Sequence, residues 1–114
     1  IISLDCGIRS VEEIAYAASK GIDFIVCDHH TPGNELPECI VLDPKQEGCH
    51  YPFKELSGCG VGFKLLQGCC IVNDWDLQRL FAKLDLVAVS IGADIVSVKK
   101  SSRFIVLIVL PAPK

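Results

Sequence analysis

The segment Phe24-Ile25-Val26-Cys27-Asp28-His29-His30 decides how the chain is organised, because four apolar residues run directly into an acid and two adjacent imidazoles. A short apolar run that ends at turn residues, here Thr31-Pro32-Gly33, is typical of a buried strand. In a parallel sheet, ligands bind at the carboxyl ends of the strands. A carboxylate beside neutral imidazoles suits manganese, zinc or iron, so we favour a metal site over a pair of surface histidines.

The residues before this segment predict an α/β fold. Residues 1–5 are rich in β-forming side chains and end at Cys6-Gly7, which predicts a strand. Ser10-Val11-Glu12-Glu13 is a capping box in which the Ser10 hydroxyl accepts from the amide of Glu13, and Gly21 predicts the helix end. A strand at residues 22–27 follows at once. Strand, helix and strand with short connections form a Rossmann-like βαβ unit whose strands are parallel.

This topology makes Asp5 a candidate metal ligand. Asp5 and Asp28 both end strands that we expect to be neighbours, and neighbouring strands lie about 4.8 Å apart. Side chains from two such ends can converge on one ion. Taken alone, Asp5 is better explained as a turn residue before Gly7, so its assignment depends on the cluster of Asp28, His29 and His30.

The remaining sequence predicts a third strand and further helices. Residues 39–42 read as a strand that ends at Asp43-Pro44, and residues 44–53 read as a loop. A helix is expected at residues 61–72, and apolar spacing predicts one long amphipathic helix over residues 77–91.

Two further features are candidates for the site. The glycine-rich stretch 57–64 fails the spacing of a phosphate loop, but bare amides at a helix start favour anions, which makes Gly58 and Gly60 candidates for substrate binding. Tight packing of the helix on the sheet explains these glycines equally well. Asp94 has apolar neighbours on both sides, a setting in which a charge is usually paired or bound to metal, so we favour a functional role over a helix-end role.

Composition limits the partners and the compartment. The net charge of -3 argues against broad attraction to nucleic acid, so a phosphate-binding site would need a local basic patch or metal ions. The longest apolar run, residues 104–110, is too short to span a bilayer, and no leader is recognisable, so we expect no membrane partner. The seven cysteines are odd in number and include no C-x-x-C pair, which favours free thiols and the cytoplasm.

In this order, the segments resemble the DHH phosphoesterase superfamily and, within it, the bacterial exonucleases specific for single-stranded DNA. The resemblance covers residues 1–103 and is specific as a set, although the acid-His-His triplet alone is a weak signal. The matching segments are residues 3–7, 21–23, 26–30, 32–33, 36–37, 43–46, 51–56, 58–64, 84–88 and 93–96.

The resemblance implies two divalent ions, manganese above magnesium, and hydrolysis of single-stranded DNA from its 5′ end in recombination and repair. By position, Asp5 resembles a bridging ligand, His29 a direct ligand and Asp94 the last aspartate ligand. His30 resembles the residue that contacts the scissile phosphate, and Asp28 the carboxylate that orients the imidazoles. Other repair proteins are expected partners.

The sequence also departs from the family. The family's first motif, an Asp-x-Asp pair on an earlier strand that completes the two-metal cage, has no counterpart here, and residues 104–114 match nothing in the family. We therefore expect a partial domain over residues 1–103 with a divergent tail, and weak metal binding and negligible turnover from this chain alone.

Two alternatives stay open. The first is a phosphohydrolase of the same superfamily that acts on pyrophosphate, short oligonucleotides or cyclic dinucleotides. The second is a non-catalytic module, either a metal binder that uses thiols or a packing domain. This second alternative predicts that metal affinity depends on the cysteines and not on Asp5 or His29.

Overall fold

The computed structural model describes residues 1–94, which form an α/β fold with one parallel sheet, as the sequence predicts. The predicted domain end at residue 103 and the tail at residues 104–114 lie outside the described residues. The elements, in chain order, are β1 (Ile2–Leu4), α1 (Val11–Ser19), β2 (Ile25–Cys27), β3 (Ile40–Leu42), α2 (Gly58–Val72), α3 (Leu77–Phe81) and α4 (Leu84–Ala93).

The sheet has the order β1-β2-β3, and both strand pairs are parallel. The register places Leu4 beside Cys27 and Cys27 beside Leu42. The ladder continues one residue beyond the strands, because the Asp5 amide donates to the Cys27 carbonyl at 2.9 Å and the Asp28 amide donates to the Leu42 carbonyl at 3.0 Å. The ends of the strands therefore deliver Asp5 and Asp28 to one edge, which confirms the predicted βαβ geometry.

The core lies in the sheet and the helix faces that cover it. Val26 and Cys27 in the central strand are fully buried. Helix α2 packs against β1 and β2, and also against α3 and α4. Its approach to the sheet is close at Gly62, where a Cβ atom would lie 2.9 Å from the Leu4 side chain. Buried residues of the loop and the helices complete the core: Ile8, Ile14, Ala17, Val61, Leu80, Val87, Ala88 and Ile91.

The predicted capping box at the start of α1 is wrong. Ser10 is the N-cap residue, but its side chain makes no capping hydrogen bond. Its ψ of 55° departs from the extended backbone that turns an N-cap side chain towards the helix amides. Ser57 has that backbone, with ψ at 163°, and its hydroxyl accepts from the Gly60 amide. Helix α2 consequently starts at Gly58, three residues before the predicted start.

The single helix predicted over residues 77–91 is also wrong, because the structure divides it into α3 and α4. Between them the Lys83 amide donates to the Leu80 carbonyl at 2.9 Å, an i to i−3 bond that tightens the last turn of α3 and ends it. Phe81 in α3 stacks on Phe63 in α2, with ring centroids 6.3 Å apart. Within residues 1–94, no helix has the length and apolar character that a membrane span requires.

Candidate metal centre

Three predicted site residues meet at the ends of β1 and β2. Asp5, His29 and His30 each offer a ligand atom, and these atoms lie within 4.8 Å of one another. The closest pair is His29 Nε2 and Asp5 Oδ1, which are 3.0 Å apart. Asp5 has a left-handed backbone with φ at 65°, a conformation that few residues other than glycine adopt and that Asp tolerates better than most. Such strained residues are concentrated at functional sites.

The buried Asp28 carboxylate supports this cluster through hydrogen bonds to His29 and His30. This carboxylate is 1% exposed and accepts four hydrogen bonds, from the amides of Ile8, His29 and His30 and from His30 Nδ1. Burial by itself would raise the pKa of Asp28, but the hydrogen bonds outweigh burial and lower the pKa below its usual value. Asp28 therefore stays ionised at neutral pH and orients the ring of His30, whereas the ring of His29 contacts Asp5 instead.

The donor set fits a divalent transition-metal ion. One carboxylate oxygen and two imidazole nitrogens are ligands that suit manganese, iron or zinc. An ion with bonds of about 2.1 Å separates opposite ligands by about 4.2 Å. The three candidate ligand atoms lie within 4.8 Å of one another, a spacing comparable to that value, so the cluster is compatible with one divalent ion.

The N-terminal turn of α2 rests directly on Asp5. Gly58 is buried, and a Cβ atom at this position would collide with the Asp5 carboxylate. The Gly60 amide donates to the Ser57 hydroxyl at 3.2 Å. The contact with Asp5 supports the packing explanation for Gly58, whereas the Gly60 amide takes part in the N-cap of α2; the role of Gly58 and Gly60 in substrate binding stays a prediction.

Asp94 lies outside the three-residue cluster. It follows α4 as the C-cap residue, and its Oδ2 atom accepts from the Ser90 hydroxyl at 3.3 Å. The pKa of the Cys59 thiol, in the first turn of α2, is raised by burial and further by the negative charges of Asp94 and Asp5. The assignment of Asp94 as a metal ligand stays a prediction.

Asp43 was not among the predicted site residues, although it directly follows β3 and lies next to Asp28 at the same edge of the sheet. Its side chain is 3% exposed, and Oδ1 accepts from the Lys45 amide at 2.7 Å. The Oδ2 atom has no partner among the described residues. Burial raises the pKa of Asp43, and the charge of Asp28 raises it further. The signal was present in the sequence, because Asp43 follows an apolar strand as Asp28 does.

Comparison with known proteins agrees with this geometry. The family model described as "DHH family, N-terminal domain" matches residues 1–91. The single-stranded-DNA-specific exonuclease RecJ of Bacillus subtilis is 52% identical over 59 residues, which is 51% of this chain and 8% of that protein. The RecJ of Salmonella typhimurium is 36% identical over 115 residues, which is 92% of this chain and 20% of that protein.

Solved structures extend the similarity to the backbone. A crystal structure of exonuclease RecJ bound to manganese matches 92% of this chain and 26% of its own with a TM-score of 0.78 at 31% identity. RecJ from Thermus thermophilus in complex with Mn²⁺ matches 92% of this chain and 16% of its own with the same TM-score at 29% identity. The chain spans 8% to 20% of the length of the two exonucleases described above. The family match covers most of the chain, and the chain belongs to the DHH family.

Proposed function

We propose that the protein containing this chain is a metal-dependent exonuclease that hydrolyses phosphodiester bonds of single-stranded DNA from the 5′ end. The observation that carries the proposal is the convergence of Asp5, His29 and His30 at the tips of two parallel strands. The similarity to exonucleases named as specific for single-stranded DNA supports the choice of substrate.

Two manganese ions are the proposed cofactor, with Asp5, His29 and Asp94 as ligands. Metal ions at such a site polarise the phosphate and lower the pKa of the attacking water. The manganese complexes of the similar structures support this choice of metal.

The protein groups would act by position and charge. Asp28 is ionised and accepts from the Nδ1 side of His30, so the ring keeps a fixed orientation and its Nε2 atom remains available for a phosphate oxygen. His29 is held by its contact with Asp5, and its side chain is 12% exposed, so it meets an ion without free rotation. In the proposed mechanism, His29 would then be a rigid nitrogen ligand, and His30 would offer a separate nitrogen to the substrate.

The cellular setting is also a proposal. We place the protein in DNA recombination and repair, in the cytoplasm, together with other repair proteins. The seven cysteines, all within residues 1–94, form no disulfide among the described residues, and free thiols are usual in a reducing compartment.

The decisive experiment uses the whole gene product with Mn²⁺ and end-labelled DNA. We expect release of mononucleotides from the 5′ end of a single strand, none from a blunt duplex, and loss of the reaction with EDTA or in His29→Ala. The matched control is His50→Ala, because His50 is exposed in the loop before α2. Hydrolysis of pyrophosphate or dinucleotides without degradation of long strands would favour a small-substrate phosphohydrolase. Metal binding that survives His29→Ala and is lost with the cysteines would favour the thiol module.

A further inference from the structure

A cavity adjoins the cluster of metal-ligand candidates and contains an arginine that the metal site does not use. The cavity has a volume of about 400 Å³, and its lining includes Asp5, Arg9, Asp28, His30 and Thr31. We propose that Arg9 forms an anion subsite in this cavity that binds a backbone phosphate next to the one positioned at His30. This inference rests on the proposed function and adds a residue that holds the DNA strand.

The exposed Arg9 guanidinium is hydrogen-bonded to the backbone of the loop after β2. Its Nε and Nη2 atoms donate to the Thr31 carbonyl at 3.0 and 2.8 Å. Thr31 follows His30 directly, so the guanidinium is attached to the loop that carries the phosphate-contacting histidine. An arginine has five N–H donors, and these two bonds leave three of them free. A fixed fork of free donors matches the geometry of phosphate oxygens.

The charge of Arg9 is not neutralised by a neighbour. Its partner is a neutral carbonyl, and within residues 1–94 no carboxylate lies within 4.0 Å of the guanidinium. The two acids in the cavity have other partners, because Asp28 accepts four hydrogen bonds and Asp5 contacts His29. Among the described residues that line the cavity, Arg9 alone carries a permanent positive charge.

Single-stranded DNA is the ligand that best fits a cavity lined by both His30 and Arg9. The protein chain has a net charge of -3, so it offers little general attraction to a polyanion and needs local positive charge beside the metals. His30 and Arg9 line one cavity, and a single strand presents a series of phosphates. Because both residues line this cavity, we expect a strand with one phosphate at His30 to place a neighbouring phosphate near Arg9. Contact with phosphate gives affinity without sequence preference, as degradation of any strand requires.

The test is equilibrium binding of a fluorescent single strand to the whole gene product at several salt concentrations, with EDTA present so that the strand is not consumed. We expect Arg9→Gln to raise Kd about tenfold at low salt and to reduce the slope of log Kd against log salt by about 0.7, the value for one lost phosphate contact on a single strand. Arg9→Lys keeps the charge and should retain the slope. Arg79→Gln, an exposed arginine on α3, is the matched control and should change neither quantity.

Three results would overturn the proposal. The first is an unchanged Kd and slope in Arg9→Gln. The second is equal damage in Arg9→Lys and Arg9→Gln together with weaker Mn²⁺ binding, because Arg9 would then only fasten the loop at Thr31. The third is a loss confined to strands with a 5′ phosphate, which would assign the contact to the terminal phosphate. The experiment measures binding and not hydrolysis. If the wild-type protein binds the strand normally but cleaves no DNA, the proposed function is wrong, and the Arg9 subsite is not contradicted.

Discussion

His30 Nδ1 lies 2.7 Å from Oδ1 of Asp28, a carboxylate that is only 1% exposed. The same carboxylate accepts from the backbone amides of Ile8, His29 and His30. One buried acid therefore connects the loop before α1, the end of β2 and a ring of the candidate metal centre. The stability of this edge of the sheet and the orientation of His30 depend on a single side chain.

Replacing Asp28 by Asn should destabilise the fold. In the wild-type protein backbone amides donate to the charged carboxylate, whereas the amide nitrogen of Asn is itself a donor and would face those amides. Hydrogen bonds to a charged group are worth more than neutral ones, so we expect the free energy of unfolding to fall by about 2–3 kcal/mol at pH 7. Urea denaturation measures this change. Asp23→Asn is the control, since Asp23 is exposed and should shift stability by less than about 0.5 kcal/mol.

The same variant has a predicted pH dependence. The folded-state pKa of Asp28 is lowered, so its contribution to stability is present above the unfolded pKa, about 3.9, and is lost as pH falls through the folded pKa. The difference in stability between wild type and Asp28→Asn should therefore shrink in acid. A difference that stays constant or grows as the pH falls would contradict the hydrogen-bonded, ionised state of Asp28.

Loss of a candidate ligand should weaken metal binding much more than loss of a thiol. Asp5→Asn and His29→Ala each remove one atom of the three-residue cluster, and we expect Mn²⁺ affinity to fall at least about tenfold in each. Cys49→Ser and Cys69→Ser should leave the affinity unchanged, because neither cysteine is a member of that cluster. Isothermal titration with Mn²⁺ makes the comparison, and the opposite pattern would support a site built from thiols.

The parallel arrangement of the strands and the proximity of Asp5, His29 and His30 followed from the sequence because both depend on local patterns. An apolar run that ends in an acid predicts a buried strand, and this held for β2, where Val26 and Cys27 are fully buried. Strand β1 forms as predicted, but its Ile2 and Leu4 side chains are exposed. Chain connectivity then determined that Asp5 and Asp28 lie at the same edge. The ends of the elements were less accurate, since β2 starts at Ile25 where the sequence predicted residue 22.

Features that depend on tertiary contacts could not be read from the sequence. The capping box failed at Ser10 because the backbone there has ψ at 55°, and no local pattern encodes that angle. The break after α3 reflects a tightened turn within a continuous apolar pattern. Hydrogen bonds of Arg9 to Thr31, 22 positions later, also depend on the fold, and this is why the arginine beside the site was not predicted.

Asp43 should make stability depend on pH in the opposite direction to Asp28. Burial and the charge of Asp28 raise the folded-state pKa of Asp43 above its unfolded value. At high pH the ionised Asp43 therefore destabilises the folded state. This destabilisation decreases as the pH falls through the folded pKa. Asp43→Asn keeps an oxygen for the Lys45 amide and removes the charge. We expect the variant to gain stability relative to wild type at pH 8 and to lose that advantage at about pH 4, near the unfolded pKa of an aspartate. Thermal unfolding at the two pH values tests the sign, and an advantage that grows in acid would show that Asp43 is stabilised as an anion.

Two glycines of helix α2 offer a matched pair that separates helix stability from support of the site. A Cβ atom at Gly58 would collide with the Asp5 carboxylate, whereas a Cβ atom at Gly68 would meet nothing within 4 Å. Gly68→Ala should stabilise the helix by about 0.5–1 kcal/mol, the usual gain in a helix interior, and leave Mn²⁺ binding unchanged. Gly58→Ala must displace Asp5 or the start of α2, so we expect weaker Mn²⁺ binding as well as lower stability. Denaturation and metal titration of both variants measure the two effects. Normal Mn²⁺ affinity in Gly58→Ala would show that Asp5 is not held against α2 in the metal-bound protein.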